Sequence, residues 1–123
     1  MSAARRRRAA KTLCCGPPVP AKTPKDGMCR EPAECAEAMK VLGDSNRLKI
    51  IRALTGGPLN VGEICRKTGL VQHRVSHHLG RMRPAGLVEC MREGRKVVYR
   101  INPRIATRWG LDFGCCYIMF REL

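Results

Sequence analysis

Apolar residues recur at helical spacing from about residue 34 onward. Cys35, Met39 and Leu42 lie at i, i+4 and i+7 positions, which places them on one face of a helix. Gly43 is a suitable end for that helix. The pattern therefore predicts a first helix from about Glu34 to Gly43.

The same spacing predicts three more helices. Asp44 is a favourable N-cap for the second helix, whose apolar face extends to Leu54 and which stops at Gly56. The third helix is predicted over about residues 61–68, and the fourth over about residues 72–84.

After the fourth helix the hydrophobic period changes from helical to alternating. Residues 87–92 and 95–101 are predicted strands that flank a Glu-Gly turn at residues 93–94, a pair typical of a tight hairpin. In that register Cys90 faces Val97. The expected architecture is mostly α with one β-hairpin.

Two further patterns follow the hairpin. Asn102 and Pro103 form a pair that favours a helix start, so a short helix is predicted as far as Trp109. Residues 111–120 are predicted to be a strand, because several of them are large and apolar.

Composition divides the 123-residue chain into three parts. Residues 1–30 contain eight Arg and Lys residues, one acidic residue and four prolines. Such a segment buries too little apolar surface to offset its ordering entropy, which predicts a mobile basic arm. A folded domain is predicted over residues 31–102, and residues 103–123 form a C-terminal segment with a cysteine pair.

The net charge of +14 favours a polyanionic partner. No apolar signal segment follows the arginine run, and no stretch approaches transmembrane length. We therefore expect a cytoplasmic protein without a membrane partner. We also expect no enzymatic activity, since the sequence has no phosphate loop, nucleophile elbow or paired-carboxylate motif.

The fourth helix and the hairpin together have the order of a DNA-binding element. The helix exposes polar and cationic side chains opposite its apolar stripe, and the hairpin tip is cationic. Such a helix can enter a major groove of double-stranded DNA while the hairpin lies beside the phosphates. A solvated helix and an ordinary basic hairpin explain the pieces singly, but DNA binding explains their order and charge. The candidate DNA-binding residues are Gln72, His73, Arg74, Ser76, His77, Arg81, Arg92, Arg95 and Lys96.

Several motifs in this region carry a family resemblance. They are Asp44 to Ile51, Val75-Ser76-His77-His78-Leu79, Ala85-Gly86-Leu87-Val88, Gly94-Arg95 and Val98-Tyr99-Arg100. Over about residues 34–102 the chain resembles the ArsR/SmtB family of bacterial metal- and metalloid-sensing repressors. The resemblance implies a dimeric winged helix-turn-helix protein, with residues 31–102 as its DNA-binding domain, which represses transcription at an operator until an inducer binds.

The chain departs from that family at one sensing site. Arsenic and cadmium sensors of the family often carry Cys-Val-Cys-Asp-Leu at the start of the third helix. The matching residues here are Asn60-Val61-Gly62-Glu63-Ile64, so both ligand cysteines are absent. An inducer must therefore be sought at other cysteines.

The eight cysteines of the chain include two vicinal pairs. Without an export signal, metal or redox chemistry is favoured over a disulfide framework. Gly114 permits a turn that would bring Cys115 and Cys116 together, and trivalent arsenic or antimony would need one further thiolate. Cys14 and Cys15 could complete such a site from the arm or be bystanders. Cys35 has the spacing of a core residue, so core packing is its expected role.

Three functional hypotheses remain open from the sequence. The first is a repressor released by a thiophilic ligand, foremost trivalent arsenic or antimony and otherwise another soft metal ion, at Cys115, Cys116, Cys14 and Cys15. The second is a thiol redox switch on the same scaffold. The third is a DNA-binding or interaction module whose cysteines are purely structural.

Overall fold

The computed structural model describes residues 32–121. These residues form four helices and two small antiparallel sheets. The elements in chain order are α1 (Pro32–Leu42), α2 (Ser45–Leu54), β1 (Leu59–Asn60), α3 (Val61–Thr68), α4 (Gln72–Met82), β2 (Val88–Glu93), β3 (Lys96–Ile101), β4 (Gly110–Asp112) and β5 (Tyr117–Met119). Helices α3 and α4 form a helix-turn-helix and strands β2 and β3 form its wing, as predicted.

Local capping explains why the helices lie close to their predicted positions. The Asp44 side chain accepts hydrogen bonds from the amides of Asn46 and Arg47 at the start of α2. Asn60 and Glu63 form a reciprocal capping box at the start of α3. These bonds satisfy amides that have no partner within the helix.

The wing forms, but its predicted register is wrong by two residues. Cys90 pairs with Tyr99 instead of Val97, and Glu93 pairs with Lys96. The turn therefore consists of Gly94 and the residue after it, and Gly94 has a φ of +64°. Glycine adopts this conformation without the strain that a side chain would cause, which leaves Glu93 in the strand.

A third strand joins the wing to the helices. In β1, Leu59 pairs with Tyr99 and Asn60 pairs with Val98, so the sheet order is β1-β3-β2. Two residues are too few for an alternating pattern, and the sequence did not predict this strand. It places the wing directly beside the start of α3.

The C-terminal segment differs from both of its predictions. Residues 103–109 form turns and a bridge instead of a helix, and residues 110–119 form a hairpin of β4 and β5 instead of one strand. The buried Asn102 side chain donates to the Gly86 carbonyl at 2.7 Å and accepts from the Arg104 amide at 3.0 Å. The Ala106 amide donates to the Asn102 carbonyl, so one helical turn begins here. It does not continue, because Ala106 forms a bridge with Leu111 of β4.

One hydrophobic core joins the C-terminal hairpin to the helices. Leu111 and Phe113 of the hairpin region are fully buried together with Ile50, Ile64 and Leu79 of α2, α3 and α4. The apolar stripe predicted for α4 is buried in this core, and the hairpin is fixed against the helical domain. No helix within residues 32–121 is long and apolar enough to cross a membrane.

Candidate DNA-binding surface and thiol cluster

Helix α4 presents opposite faces to the core and to solvent. Val75, Leu79 and Met82 are buried. The six candidate DNA-binding residues on this helix are all exposed, namely Gln72, His73, Arg74, Ser76, His77 and Arg81. No side chain caps its first turn, which leaves amides there for a phosphate oxygen to accept from. The exposed face thus has donors for base edges and for the DNA backbone.

The tip of the wing extends this surface with positive charge. Arg92, Arg95 and Lys96, which we call the wing-tip cations, are exposed at the end of the hairpin. Farther from the tip, Arg100 donates through Nε and Nη2 to Glu89 at 3.0 and 2.9 Å. Arg100 is therefore engaged within the wing, whereas the predicted wing-tip residues project into solvent.

Arg47 connects three helices beneath the exposed face of α4. Its Nε donates to Nδ1 of His78 at 3.2 Å, and its Nη1 donates to the Val41 carbonyl at 2.8 Å. His78 is 7% exposed. Arg47 thus joins the last turn of α1 and the middle of α4 to α2, a role that the apolar pattern of α2 did not indicate.

The protonation of His78 follows from this environment. Burial lowers the pKa of His78 below its usual value, and the nearby Asp44 carboxylate partly opposes that shift. The pKa of Asp44 is itself lowered, foremost by the hydrogen bond from the Asn46 amide. A neutral His78 can accept from Arg47 through Nδ1, whereas a protonated one cannot.

Three cysteines converge where α1 meets the C-terminal hairpin. The sulfur atoms of Cys35, Cys115 and Cys116 all lie within 4.8 Å of one another, and we call this group the thiol cluster. Cys35 is buried on α1, Cys116 is half-buried and Cys115 is exposed. The two sulfurs of the vicinal pair are 3.9 Å apart, and Cys35 and Cys116 form a disulfide.

Gly114 brings the vicinal pair together, as the sequence suggested. It has a φ of +95° in the turn between β4 and β5, and its amide donates to Asp112 at 2.8 Å. The structure also places Cys35 beside the pair, a contact between residues 81 positions apart that the helical spacing could not reveal. The other two predicted ligands, Cys14 and Cys15, lie outside the described residues.

Comparison with known proteins agrees with this fold. A family model described as bacterial regulatory protein, arsR family, matches residues 44–89. The transcriptional regulator YgaV of Escherichia coli is 36% identical over 70 residues, which cover 56% of this chain and 71% of YgaV. The chain belongs to the arsR family. Its thiol cluster lies outside the residues that the family model matches.

Two further proteins are similar to this arsR family member. The probable mercury resistance operon repressor of Streptomyces lividans is 33% identical over 79 residues, which cover 63% of each protein. A homodimeric winged helix-turn-helix DNA-binding domain of a possible ArsR-family regulator from Mycobacterium bovis has a TM-score of 0.53 and 34% identity, covering 57% of this chain and 65% of that domain. The winged helix-turn-helix fold of this arsR family member is thereby confirmed.

In this arsR family member, the two positions where related sensors carry ligand cysteines at the start of α3 are Asn60 and Gly62, and both serve the helix start. Asn60 occupies the place of the first ligand cysteine and caps α3. Gly62 occupies the place of the second, and a Cβ there would lie 3.3 Å from the Asn60 side chain. These positions serve the helix start, so they offer no thiolate to a metal ion.

Proposed function

We propose that this protein is a homodimeric, sequence-specific DNA-binding repressor that a thiophilic ligand releases from its operator. The observation that carries the proposal is the convergence of three cysteine sulfurs within 4.8 Å on a winged helix-turn-helix scaffold. Trivalent arsenic or antimony is the favoured inducer, because each bonds readily to three thiolates. Another soft metal ion is the alternative inducer.

The DNA-binding part of the proposal rests on the α4 face and the wing. In a homodimer, two copies of α4 would enter successive major grooves about 34–36 Å apart, as in other helix-turn-helix dimers. The wing-tip cations would neutralise phosphates on either side. The protein would act in the cytoplasm as a regulator without enzymatic activity.

Release would follow from the inducer binding one conformation better than another. Allosteric couplings of about 1–3 kcal/mol reduce affinity roughly 5- to 150-fold. The relative from Streptomyces, named for mercury resistance, supports a thiophilic inducer but does not distinguish arsenic from mercury.

The proposal is tested by DNA binding of the full chain to the region upstream of its own gene. Arsenite, antimonite, mercuric, cadmium and zinc ions are added separately to protein held reduced by a phosphine, because a dithiol reductant would compete for the inducer. We expect arsenite and antimonite to release the DNA. The Cys115→Ala/Cys116→Ala variant should bind DNA normally and no longer respond.

Cys65→Ala provides the matched control, since Cys65 is a half-buried thiol on α3 outside the thiol cluster. It should respond as the wild type does. Normal release from the double variant would refute a role of the C-terminal pair. Equal binding to unrelated DNA would instead favour a module without an operator.

A redox switch is the second candidate, because Cys35 and Cys116 form a disulfide in the structure. Two thiols would lose two protons and two electrons to a peroxide, so hydrogen peroxide would become two waters and an organic peroxide an alcohol and one water. This candidate predicts release by peroxide in the absence of a reductant and recovery after reduction. Release by arsenite in reduced protein is not expected from it.

A further inference from the structure

The side chain of Cys35 faces the C-terminal turn from the buried face of α1. Cys35, Ala38 and Leu42 are the buried residues of α1. The opposing turn is held by Phe113, whose ring is fully buried and whose amide donates to the Cys116 carbonyl at 2.8 Å. Both sides of the thiol cluster are thus positioned by packing and hydrogen bonds before any ligand binds.

We propose that Cys35 is the third ligand of a three-thiolate site that is complete within one protomer and that selects trivalent, pyramidal ions. This inference deepens the proposed function and rests on it for its biological role. Among the described residues, the cluster contains no histidine or carboxylate. Structural zinc sites instead have four ligands in a tetrahedron, one more than this group supplies.

The separation of the sulfurs suits a single ion. A pyramidal ion with bonds of about 2.3 Å and angles of roughly 95° holds its sulfurs roughly 3.4 Å apart. The two vicinal sulfurs are 3.9 Å apart and no pair of the three exceeds 4.8 Å, so side-chain rotations that move the sulfurs by about 1 Å are enough to close the site. The exposed thiol of Cys115 provides the point of entry, and the buried thiol of Cys35 closes the site from the core side.

The backbone separation also suits an inserted ion. The Cα atoms of Cys35 and Cys116 are 7.4 Å apart, whereas most disulfides have a Cα separation of about 4.4–6.8 Å. An ion between the two sulfurs replaces one S–S bond by two metal–sulfur bonds, which accommodates the wider spacing.

The binding reaction balances without an oxidant. A phosphine first reduces the Cys35–Cys116 disulfide with one water, becoming a phosphine oxide and leaving three thiols in the cluster. Arsenous acid carries three hydroxyl groups. Three As–O bonds break and three As–S bonds form, while each thiol proton leaves with one hydroxyl as water. Arsenic remains trivalent throughout, so no electron acceptor is needed.

The experiment compares inorganic arsenite with phenylarsine oxide, whose arsenic has one position blocked by the phenyl group and can take only two thiolates. Binding to the reduced full chain is followed without DNA, by the ultraviolet absorption of the As–S bonds and by the ligand-induced rise in melting temperature. The variants are Cys35→Ala, Cys115→Ala/Cys116→Ala, the Cys65→Ala control and Cys14→Ala/Cys15→Ala.

Cys35→Ala should bind arsenite at least about tenfold more weakly, because losing even an outer-shell partner of a metal site commonly costs about 10- to 100-fold. Its affinity for phenylarsine oxide should stay within about twofold, since Cys115 and Cys116 still provide two thiols. Removal of that pair should weaken both probes. Cys65→Ala and Cys14→Ala/Cys15→Ala should bind both as the wild type does.

Wild-type arsenite affinity in Cys35→Ala would overturn the inference, and so would equal losses for both arsenicals. Loss of arsenite binding in Cys14→Ala/Cys15→Ala would place the site elsewhere. Failure of the proposed function is distinguishable from these outcomes: arsenite would bind with three thiolates, but DNA would not be released.

Discussion

Replacing Arg47 by alanine should destabilise the protein far more than replacing another arginine on the same helix. The variant loses the hydrogen bonds to Val41 and His78 and leaves a buried ring nitrogen without its donor. Hydrogen bonds from charged groups contribute about 1.5–3 kcal/mol each. Because Arg47 is partly exposed, we take the lower value, which gives a loss of about 3 kcal/mol for the two bonds.

The assay is urea unfolding of the full chain at pH 7.5 under reducing conditions and at one protein concentration. With a slope of about 2 kcal/mol per M, the loss lowers the midpoint by about 1.5 M. Arg47→Lys should retain roughly half of the stabilisation, because a single ammonium lacks the planar fork that reaches two acceptors at once.

Arg52→Ala is the matched control on α2. Arg52 is exposed, and its contact with the Arg121 carbonyl has a donor–acceptor distance of 3.5 Å. Its removal should change stability by no more than about 0.5 kcal/mol. If the Arg47→Ala and Arg52→Ala proteins unfold at the same urea concentration, the Arg47 hydrogen bonds do not hold the three helices together.

Three further predictions concern other parts of the molecule. The pKa of His78 is lower in the folded protein than the value of 6.5 that it has in the unfolded chain. As the pH falls below 6.5, the unfolded chain therefore binds a proton at His78 before the folded protein does. The free energy of unfolding should therefore fall as the pH drops below 6.5, and His78 contributes at most about 1.4 kcal/mol per pH unit to this fall. Urea titrations of the wild type and of His78→Gln at several pH values measure the His78 contribution as the difference between them. If the two stability curves run parallel with pH, His78 makes no such contribution. Gly110→Ala should unfold the C-terminal hairpin and weaken arsenite binding, because the added Cβ would overlap the Ile118 carbonyl. The control Gly80→Ala, on the open side of α4, should be neutral or stabilising by up to about 1 kcal/mol. Similar melting temperatures for the two variants would contradict the close approach at Gly110. Arg74→Ala should lose about 1–3 kcal/mol of binding free energy on operator DNA and less on random DNA. Changing each wing-tip cation to Gln should reduce the slope of log affinity against log salt concentration by about 0.9 per phosphate contact. An unchanged slope would show that the wing tip does not contact the DNA.

Local signals were sufficient to predict the helical part of the fold. Asp44 and Gly69 mark helix ends through bonds to residues at most four positions away, so their effect is visible in the sequence itself. The wing was predicted for the same reason, but a Glu-Gly pair does not determine which residue enters the turn. Gly94 took the first turn position, and the register moved by two residues.

Interactions between distant residues account for what the sequence did not reveal. The carbonyl of Ile105 accepts from the Asp112 amide, and this pairing with the hairpin replaces the helix predicted after Asn102. Cys35 has an ordinary core spacing on α1, and its neighbours at the thiol cluster come from the other end of the domain. No periodicity records such contacts, because they arise only when the elements pack.

Arg47 links α1, which carries Cys35 of the thiol cluster, to α4, which carries the candidate DNA-binding face. A ligand that joins Cys35 to the hairpin would restrain α1, and the last turn of α1 shares the Arg47 guanidinium with His78 of α4. A shift of α1 relative to α4 would lengthen one of these two bonds. The contribution of one charged hydrogen bond, about 1.5–3 kcal/mol, is as large as a typical allosteric coupling of about 1–3 kcal/mol. Arg47 alone could therefore carry a coupling strong enough for operator release, with no rearrangement of the core.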